Sequence, residues 1–262
     1  MTKIIGLSGK KQSGKSTTVK ALYAVSLVDQ DIHARVDDKG QLVVMAGVGE
    51  KGKETFEETI LNTDDPLRNV QEFLAEVVWP TVKEYSLAYP LKMFCVYVLG
   101  LDREQCFGTD DQKNSLTKYR WENMPVSREM AEDDKEFKEF CNTKHGQMTA
   151  REILQYFGTN ICRKMNSLVW SETLERRIRM DEPNMAVVSD IRFPDEVDAV
   201  HNMGGKVIRY LRAPFAGKDE HHSETALDDY DNFDAVVDNK DMTIAEQIEN
   251  VHKILLDWKY VE

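Results

Sequence analysis

The chain opens on an apolar run, Ile4 to Leu7, short enough for one buried strand. Beyond a glycine-rich polar stretch, Val19, Leu22, Tyr23 and Ser26 recur at the spacing of a helix from about Ser16 to Leu27. The runs Ile32 to Arg35 and Gln41 to Ala46 flank Val36-Asp37-Asp38-Lys39-Gly40, a β-hairpin pattern in which Gly40 takes positive φ. Glycines and charges from Gly47 to Lys53 follow, so residues 30–65 read as peripheral material. Leu67, Val70, Phe73, Leu74 and Val77 predict a helix from Pro66 to about Val78, which Pro80 breaks. Tyr85 to Ala88 reads as a second core strand stopped at Tyr89-Pro90, and Met93 to Leu99 as an apolar helix closed by Gly100. Further strands are expected at Met185–Val188, Lys206–Leu211 and Ala235–Val237, with a last helix from about Thr243 to Trp258. Strands alternating with helices suit an α/β sheet whose ligand groups stand at the strand ends.

The polar stretch after the first strand is Gly9-Lys10-Lys11-Gln12-Ser13-Gly14-Lys15-Ser16-Thr17, a complete G-x-x-x-x-G-K-[ST] signature. Its glycines permit a tight turn, and successive N–H groups with the next helix's N-terminus face an anion. ATP-binding candidates are therefore Gly9, Lys11, Ser13, Gly14, Lys15, Ser16 and Thr17. Lys15 is expected to reach the β- and γ-phosphates, and the Ser16 hydroxyl to join a Mg²⁺ shell. Asp190, at the end of the Met185 strand, is placed either to meet the same Mg²⁺ or to cap the following helix. Arg192 and, after the Lys206 strand, Arg212 are candidates for offsetting charge on a transferring phosphate. Residues near Asp238 to Lys240 are candidates for approaching the donor base.

Composition narrows the partners. The chain has 262 residues, enough for one domain with an inserted lobe, and 46 acidic against 34 basic side chains give a formal charge of −12. That balance disfavours a nucleic-acid polymer as partner, while Lys10, Lys11 and Lys15 make a discrete phosphate pocket. No secretory signal or membrane-length apolar stretch is read, so a reduced cytoplasmic setting is expected for Cys95, Cys106, Cys141 and Cys162, whose spacing forms no zinc pattern.

Residues 102–148 are polar and uneven, with Arg103, Lys113, Lys118, Arg120 and Arg128 among turns. They read either as a mobile substrate lobe or as solvated surface, with Glu132 to Glu139 an exposed acidic helix. Thr149 can cap a helix on which Arg151 and Gln155 share a face, suited to a phosphate and a base edge respectively, or simply to solvent. Trp170 either closes a pocket or packs as a core aromatic. Gly217 to Glu224 reads as a short lid, within which His222 is a positioning group rather than a metal ligand. Lys92 is either a phosphate ligand or a solvated first-turn lysine.

Four blocks in order, Leu7 to Thr17, Leu87 to Lys92, Arg151 to Thr159 and Asp190-Ile191-Arg192, with His222-Ser223-Glu224-Thr225, resemble the phage deoxynucleoside monophosphate kinase family. The resemblance implies a P-loop α/β fold with a parallel central sheet and a helical acceptor lobe, here 102–170. It implies that Lys92, Arg151, Phe157, Gly158 and Trp170 surround the acceptor nucleotide, with Gln155 and Thr159 as neighbours. It further implies Mg²⁺ as cofactor, ATP and a deoxynucleoside monophosphate as partners, and a host cytoplasm for a phage protein; a homodimer is left open. The expected reaction carries the γ-phosphoryl of ATP to a deoxynucleoside 5′-monophosphate. Alternatives are a dephospho-coenzyme A or other small-metabolite kinase, and a nucleotide-regulated binding protein without catalysis.

Overall fold

The computed structural model describes residues 2–48, 55–63, 67–124, 144–214 and 225–262. Two compact units divide the chain: a sheet unit of Met1–Leu87 with Leu174–Glu262, and a helical unit of Ala88–Thr173. The expected features at Arg128, at Glu132 to Glu139, at Gly217 to Glu224 and at Cys141 lie outside the described residues.

In the sheet unit, β1 (Lys3–Ser8) is followed by α1 (Lys15–Val28). The strands β2 (Ala34–Val36), β3 (Leu42–Val48) and β4 (Thr55–Ile60) form their own antiparallel sheet. Gly40 closes the first turn of that sheet at φ 74, as its position in the sequence predicts. Ala34, Leu42 and Val44 join the core on which α1 packs. The strand β4 has no counterpart in the sequence pattern, because its apolar Phe56 and Ile60 are exposed.

The helix read over Pro66 to Val78 is α2 (Arg68–Phe73) running into a π-helical turn, Leu74–Val78. Next comes β5 (Val82–Tyr85), which is a correction to the strand read at Tyr85 to Ala88. Pairing ends at Tyr85 because Asp190 draws away the next two residues: Ser86 Oγ donates to it at 2.5 Å and the Leu87 N–H at 2.8 Å.

The central sheet has the order β10-β9-β1-β8-β5, with β8 (Met185–Ile191), β9 (Lys206–Tyr210) and β10 (Ala235–Val237), and every pairing is parallel. Its central strands are apolar without alternation because both faces are covered: Ile5, Leu7, Val187, Val188, Val207 and Ile208 are fully buried. This is a mixed α/β fold of P-loop type. The carboxyl end of β1, between β8 and β9, is where such a sheet presents its ligand groups.

The helical unit begins with α3 (Tyr89–Tyr97), which starts earlier than the Met93 expected from the apolar run, because Pro90 suits a first turn. Two short helices, α4 (Arg103–Phe107) and α5 (Asp110–Lys113), carry capping boxes at Asp102/Gln105 and Thr109/Gln112. The pair β6 (Leu116–Arg120) and β7 (Gln147–Thr149) leads into α6 (Ala150–Gln155), which continues as a π-helix over Tyr156–Arg163. Leu91, Cys95, Cys106, Trp121, Met148, Ile153 and Tyr156 form the unit's core. Further helices among the described residues are α7 (Val169–Asp181) and, in the sheet unit, α8 (Pro194–Asn202) and α9 (Ile244–Asp257). Among the described residues no helix is long and apolar enough to cross a membrane.

Candidate active site

The segment Gly9–Gly14 bends back on itself: Ser13 N–H donates to the Lys10 carbonyl at 3.2 Å, and Gln12 and Gly14 take φ 58 and 102. Gly14 then caps α1. Thr18, one turn on, is buried and shares a 2.7 Å hydrogen bond with the buried Tyr210 hydroxyl, which fixes the helix against β9. Lys15 Nζ folds over the loop, donating to the carbonyl oxygens of Gly9 at 2.6 Å and Lys10 at 2.8 Å and to Ser13 Oγ at 3.2 Å. Burial pushes the Lys15 ammonium down to about 8; Arg192 and Arg209 act in the same direction and Asp190 against it. Ser16 and Lys11 are exposed, and Thr17 lies beside Gly40 of the β2–β3 turn, whose carbonyl accepts from Lys20 at 3.2 Å.

Asp190 is oriented by Ser86 and Leu87 at the end of β5, as given above, and Arg177 holds the Ser86 carbonyl at 3.2 Å. The sequence left open whether Asp190 caps the next helix. Glu196, 4% exposed, takes that place, accepting the N–H groups of Arg192 at 2.8 Å and Phe193 at 3.2 Å. The Asp190 charge instead acts on Lys15 of the loop, and Arg192 is set by its backbone with an exposed side chain. Arg212 is engaged elsewhere: Nε donates to the Asn239 carbonyl at 2.9 Å and Nη2 to that of Met242 at 2.6 Å.

Sequence reasoning missed Arg209. It lies opposite Ser8 in the β1–β9 register, donates to Ser8 Oγ at 3.0 Å, and pairs at 3.4 Å with Asp228, which also holds Lys10 Nζ at 2.7 Å. The only local signal was an arginine inside an apolar strand. Ser86 and Gln247 were also missed as parts of the site, whereas Asn239 falls within the Asp238 to Lys240 stretch read as approaching the donor base; the partners of all three are far away in sequence.

In the helical unit, Lys92 Nζ lies 5.0 Å from the Phe107 ring centre. Phe157 packs on Phe94 and Tyr156, and Trp170 Nε1 donates to the Gly158 carbonyl at 3.2 Å. Gly158 is buried, and a Cβ there would lie 2.6 Å from Leu91 Cδ2, so the glycine lets the π-helix approach α3. Phe157, Gly158 and Trp170 thus meet on the π-helix and the start of α7, packed on Phe94 and Leu91 of α3, whereas Lys92 of α3 lies over Phe107 of α4. Arg151 stands apart on α6, where Nη2 donates to Asp110 and Nε to Asn114, both at 2.9 Å. Gln155 is half-buried and Thr159 is exposed. The Cys95 thiol is pushed up to about 12 by burial, which leaves it a packing group rather than a nucleophile.

A glycine-rich loop on the central strand of a parallel sheet, with a half-buried lysine folded over it and an oriented strand-end acid, defines a P-loop phosphotransferase acting on a small nucleotide. Residues 111–251, just over half of the chain, match the deoxynucleotide monophosphate kinase family model, and the chain belongs to that family. It is similar to an Acanthamoeba polyphaga mimivirus protein assigned as a deoxynucleotide monophosphate kinase, with 30% identity over 168 residues, 60% of this chain and 74% of the relative. It is also similar to the deoxynucleoside-5′-monophosphate kinase of Escherichia phage T5, with 30% identity over 88 residues, 30% of this chain and 35% of the relative. The phosphate-binding loop lies outside the family match, so its geometry is separate support for kinase chemistry.

Proposed function

We propose that this kinase transfers the γ-phosphoryl of ATP to the 5′-phosphate of a deoxynucleoside monophosphate, giving ADP and a deoxynucleoside diphosphate. The observation that carries the reading is Lys15, half-buried and folded over the loop, where the charges of Asp190 and Arg192 reach it. A desolvated ammonium is a strong partner for a polyphosphate, because little water has to be removed when the anion arrives. On binding, Lys15 exchanges the Gly9 and Lys10 carbonyls for phosphate oxygens, while loop N–H groups and the start of α1 receive the rest. Arg192 offsets charge as the phosphoryl group moves; Arg209 steadies the loop base through Ser8 and Asp228. Arg212 holds the 239–242 turn.

Two oxygen donors fit Mg²⁺: the exposed Ser16 hydroxyl, and the Asp190 carboxylate, oriented by Ser86 and Leu87. Nucleotide-associated Mg²⁺ takes one or two protein oxygens and completes its shell with phosphate and water. Bound there with ATP, it would neutralise phosphate charge.

Acceptor binding falls to the helical unit. Arg151 suits the monophosphate by its planar fork, Lys92 adds a point charge, and Phe157 with Trp170 offers aromatic faces to the base. Gln155 and Thr159 supply polar groups on the same helix run, and Gly158 shapes it. The acceptor oxygen is already ionised, so placement in line with the donor matters more than a general base. The reaction belongs to the cytoplasm, that of a host cell for a viral protein.

The test is ADP release from Mg-ATP with dGMP, dTMP, dCMP, dAMP, AMP and dephospho-coenzyme A offered separately. Stimulation by at least one deoxynucleotide above AMP and dephospho-coenzyme A is expected. Stimulation by dephospho-coenzyme A alone would replace the acceptor class while leaving the kinase chemistry in place.

A further inference from the structure

Two carboxamides lie fully inside the sheet unit: Asn239, just after β10, and Gln247 on α9 are 0% and 1% exposed. Asn239 Nδ2 donates to the Ser13 carbonyl and to Gln247 Oε1, both at 2.7 Å. Gln247 Nε2 donates to the Gly14 carbonyl at 2.9 Å and to Thr18 Oγ1 at 3.4 Å. Asn239 Oδ1 accepts the Arg212 N–H at 3.0 Å. All donors and acceptors of the pair are thereby engaged, as burial demands of amides.

What they engage is the turn of the loop into α1. In a trans peptide the carbonyl of one residue and the N–H of the next point in opposite directions. Holding the Ser13 carbonyl turns the Gly14 N–H away from the two amides, and holding the Gly14 carbonyl does the same for the Lys15 N–H. These are groups that a phosphate-binding loop offers to an anion. The fit is close: a Cβ on Gly14 would lie 2.3 Å from Gln247 Oε1, so the glycine leaves the space that the glutamine fills.

We propose that Asn239 and Gln247 are positioning residues for the donor nucleotide, presetting the Ser13–Gly14 and Gly14–Lys15 peptides in the anion-accepting orientation. This rests on reading the loop as the ATP site. Through Arg212, which grips the Asn239 and Met242 carbonyls, the same two amides tie the loop to the 239–242 turn, so that the two segments hold one arrangement.

The test is Gln247→Met, similar in volume but without the donors, compared with Leu255→Ala, a buried packing change on the same helix. Mg-ATP affinity is read by calorimetry without acceptor, alongside Tm and the acceptor KM. Gln247→Met is expected to weaken ATP by about tenfold with acceptor KM within about twofold of wild type, whereas Leu255→Ala lowers Tm and leaves ATP affinity within about twofold. Wild-type ATP affinity in Gln247→Met, or equal weakening in Leu255→Ala, would overturn the proposal. If Gln247→Met does not fold, Asn239→Ser decides on the same criteria. Failure of the wild-type protein itself to bind ATP would instead remove the donor-site reading, and this inference with it.

Discussion

Lys15 Nζ donates to the Gly9 carbonyl at 2.6 Å, so the cation of the glycine-rich loop is held by the loop's own backbone. Carbonyl oxygens are a neutral substitute for phosphate oxygens. They satisfy the ammonium's hydrogen bonds but supply no counter-charge, and burial, with the Arg192 charge acting in the same direction, leaves the charged form less favoured than in water.

A pH dependence follows for nucleotide binding. Burial pushes the Lys15 ammonium down to about 8, and a bound polyphosphate raises it again. Above pH 8 binding must therefore recover a proton, and the apparent Kd for Mg-ATP is expected to rise toward about tenfold per pH unit, with no Lys15 contribution well below that pH. For folding, the shift from 10.5 to about 8 means that the cost of burying the charge is fully present below pH 8 and is relieved as pH rises from there toward 10.5. Calorimetric titrations between pH 7 and pH 9.5 check the binding limb; a flat affinity would contradict it.

Asp190→Asn separates charge from geometry. The amide oxygen can still accept the Leu87 N–H and the new NH₂ can donate to Ser86 Oγ, so Tm is expected to hold. The turnover number is expected to fall by roughly a hundredfold as the anionic ligand is lost. Steady-state kinetics beside a melting curve read both, and unchanged turnover would remove Asp190 from the donor chemistry.

Arg151→Ala is expected to raise the acceptor KM by about tenfold while leaving ATP affinity alone. Its ion pair with Asp110 is too exposed, at 37% and 52% of the side chains, to contribute more than about 1 kcal/mol to stability. A large Tm loss with normal acceptor kinetics would make Arg151 a structural residue.

Gly158→Ala places a methyl against Leu91 Cδ2 and is expected to cost about 1–3 kcal/mol. Since Leu91 is the group struck, combining the change with Leu91→Ala should cost less than the sum of the two single changes. Thermal unfolding of the four proteins in the cycle tests this, and simple additivity would locate the strain elsewhere.

Much of the sheet unit was legible because its signals are local. The apolar run of β1, the loop signature and the spacing of Val19, Leu22 and Tyr23 all fall within one stretch of chain. The Thr149 cap was equally local, and its side chain does accept the Glu152 N–H. The boxes at Asp102/Gln105 and Thr109/Gln112 carried the same kind of signal inside a segment read only as polar and uneven. Other features have no local signature. The strand β4 pairs through its backbone, with Arg35 and Glu58 across the sheet at 2.8 Å rather than an apolar face. The end of β5 is set by Asp190, more than a hundred residues on. Asn239 and Gln247 meet the loop across 226 and 233 residues, and in sequence each is an ordinary polar residue. Helical periodicity likewise does not separate the π-turns at Leu74–Val78 and Tyr156–Arg163 from α-helix.

The central claim is most directly tested by following the label from ATP carrying ³²P at the γ-position, incubated with Mg²⁺, the protein and the best deoxynucleoside monophosphate, with products separated by charge. The expected result is label in the β-phosphate of the deoxynucleoside diphosphate, with one ADP formed per labelled product and none transferred by a folded Lys15→Ala variant. Label appearing only as inorganic phosphate, or transfer undiminished in Lys15→Ala, would contradict the account.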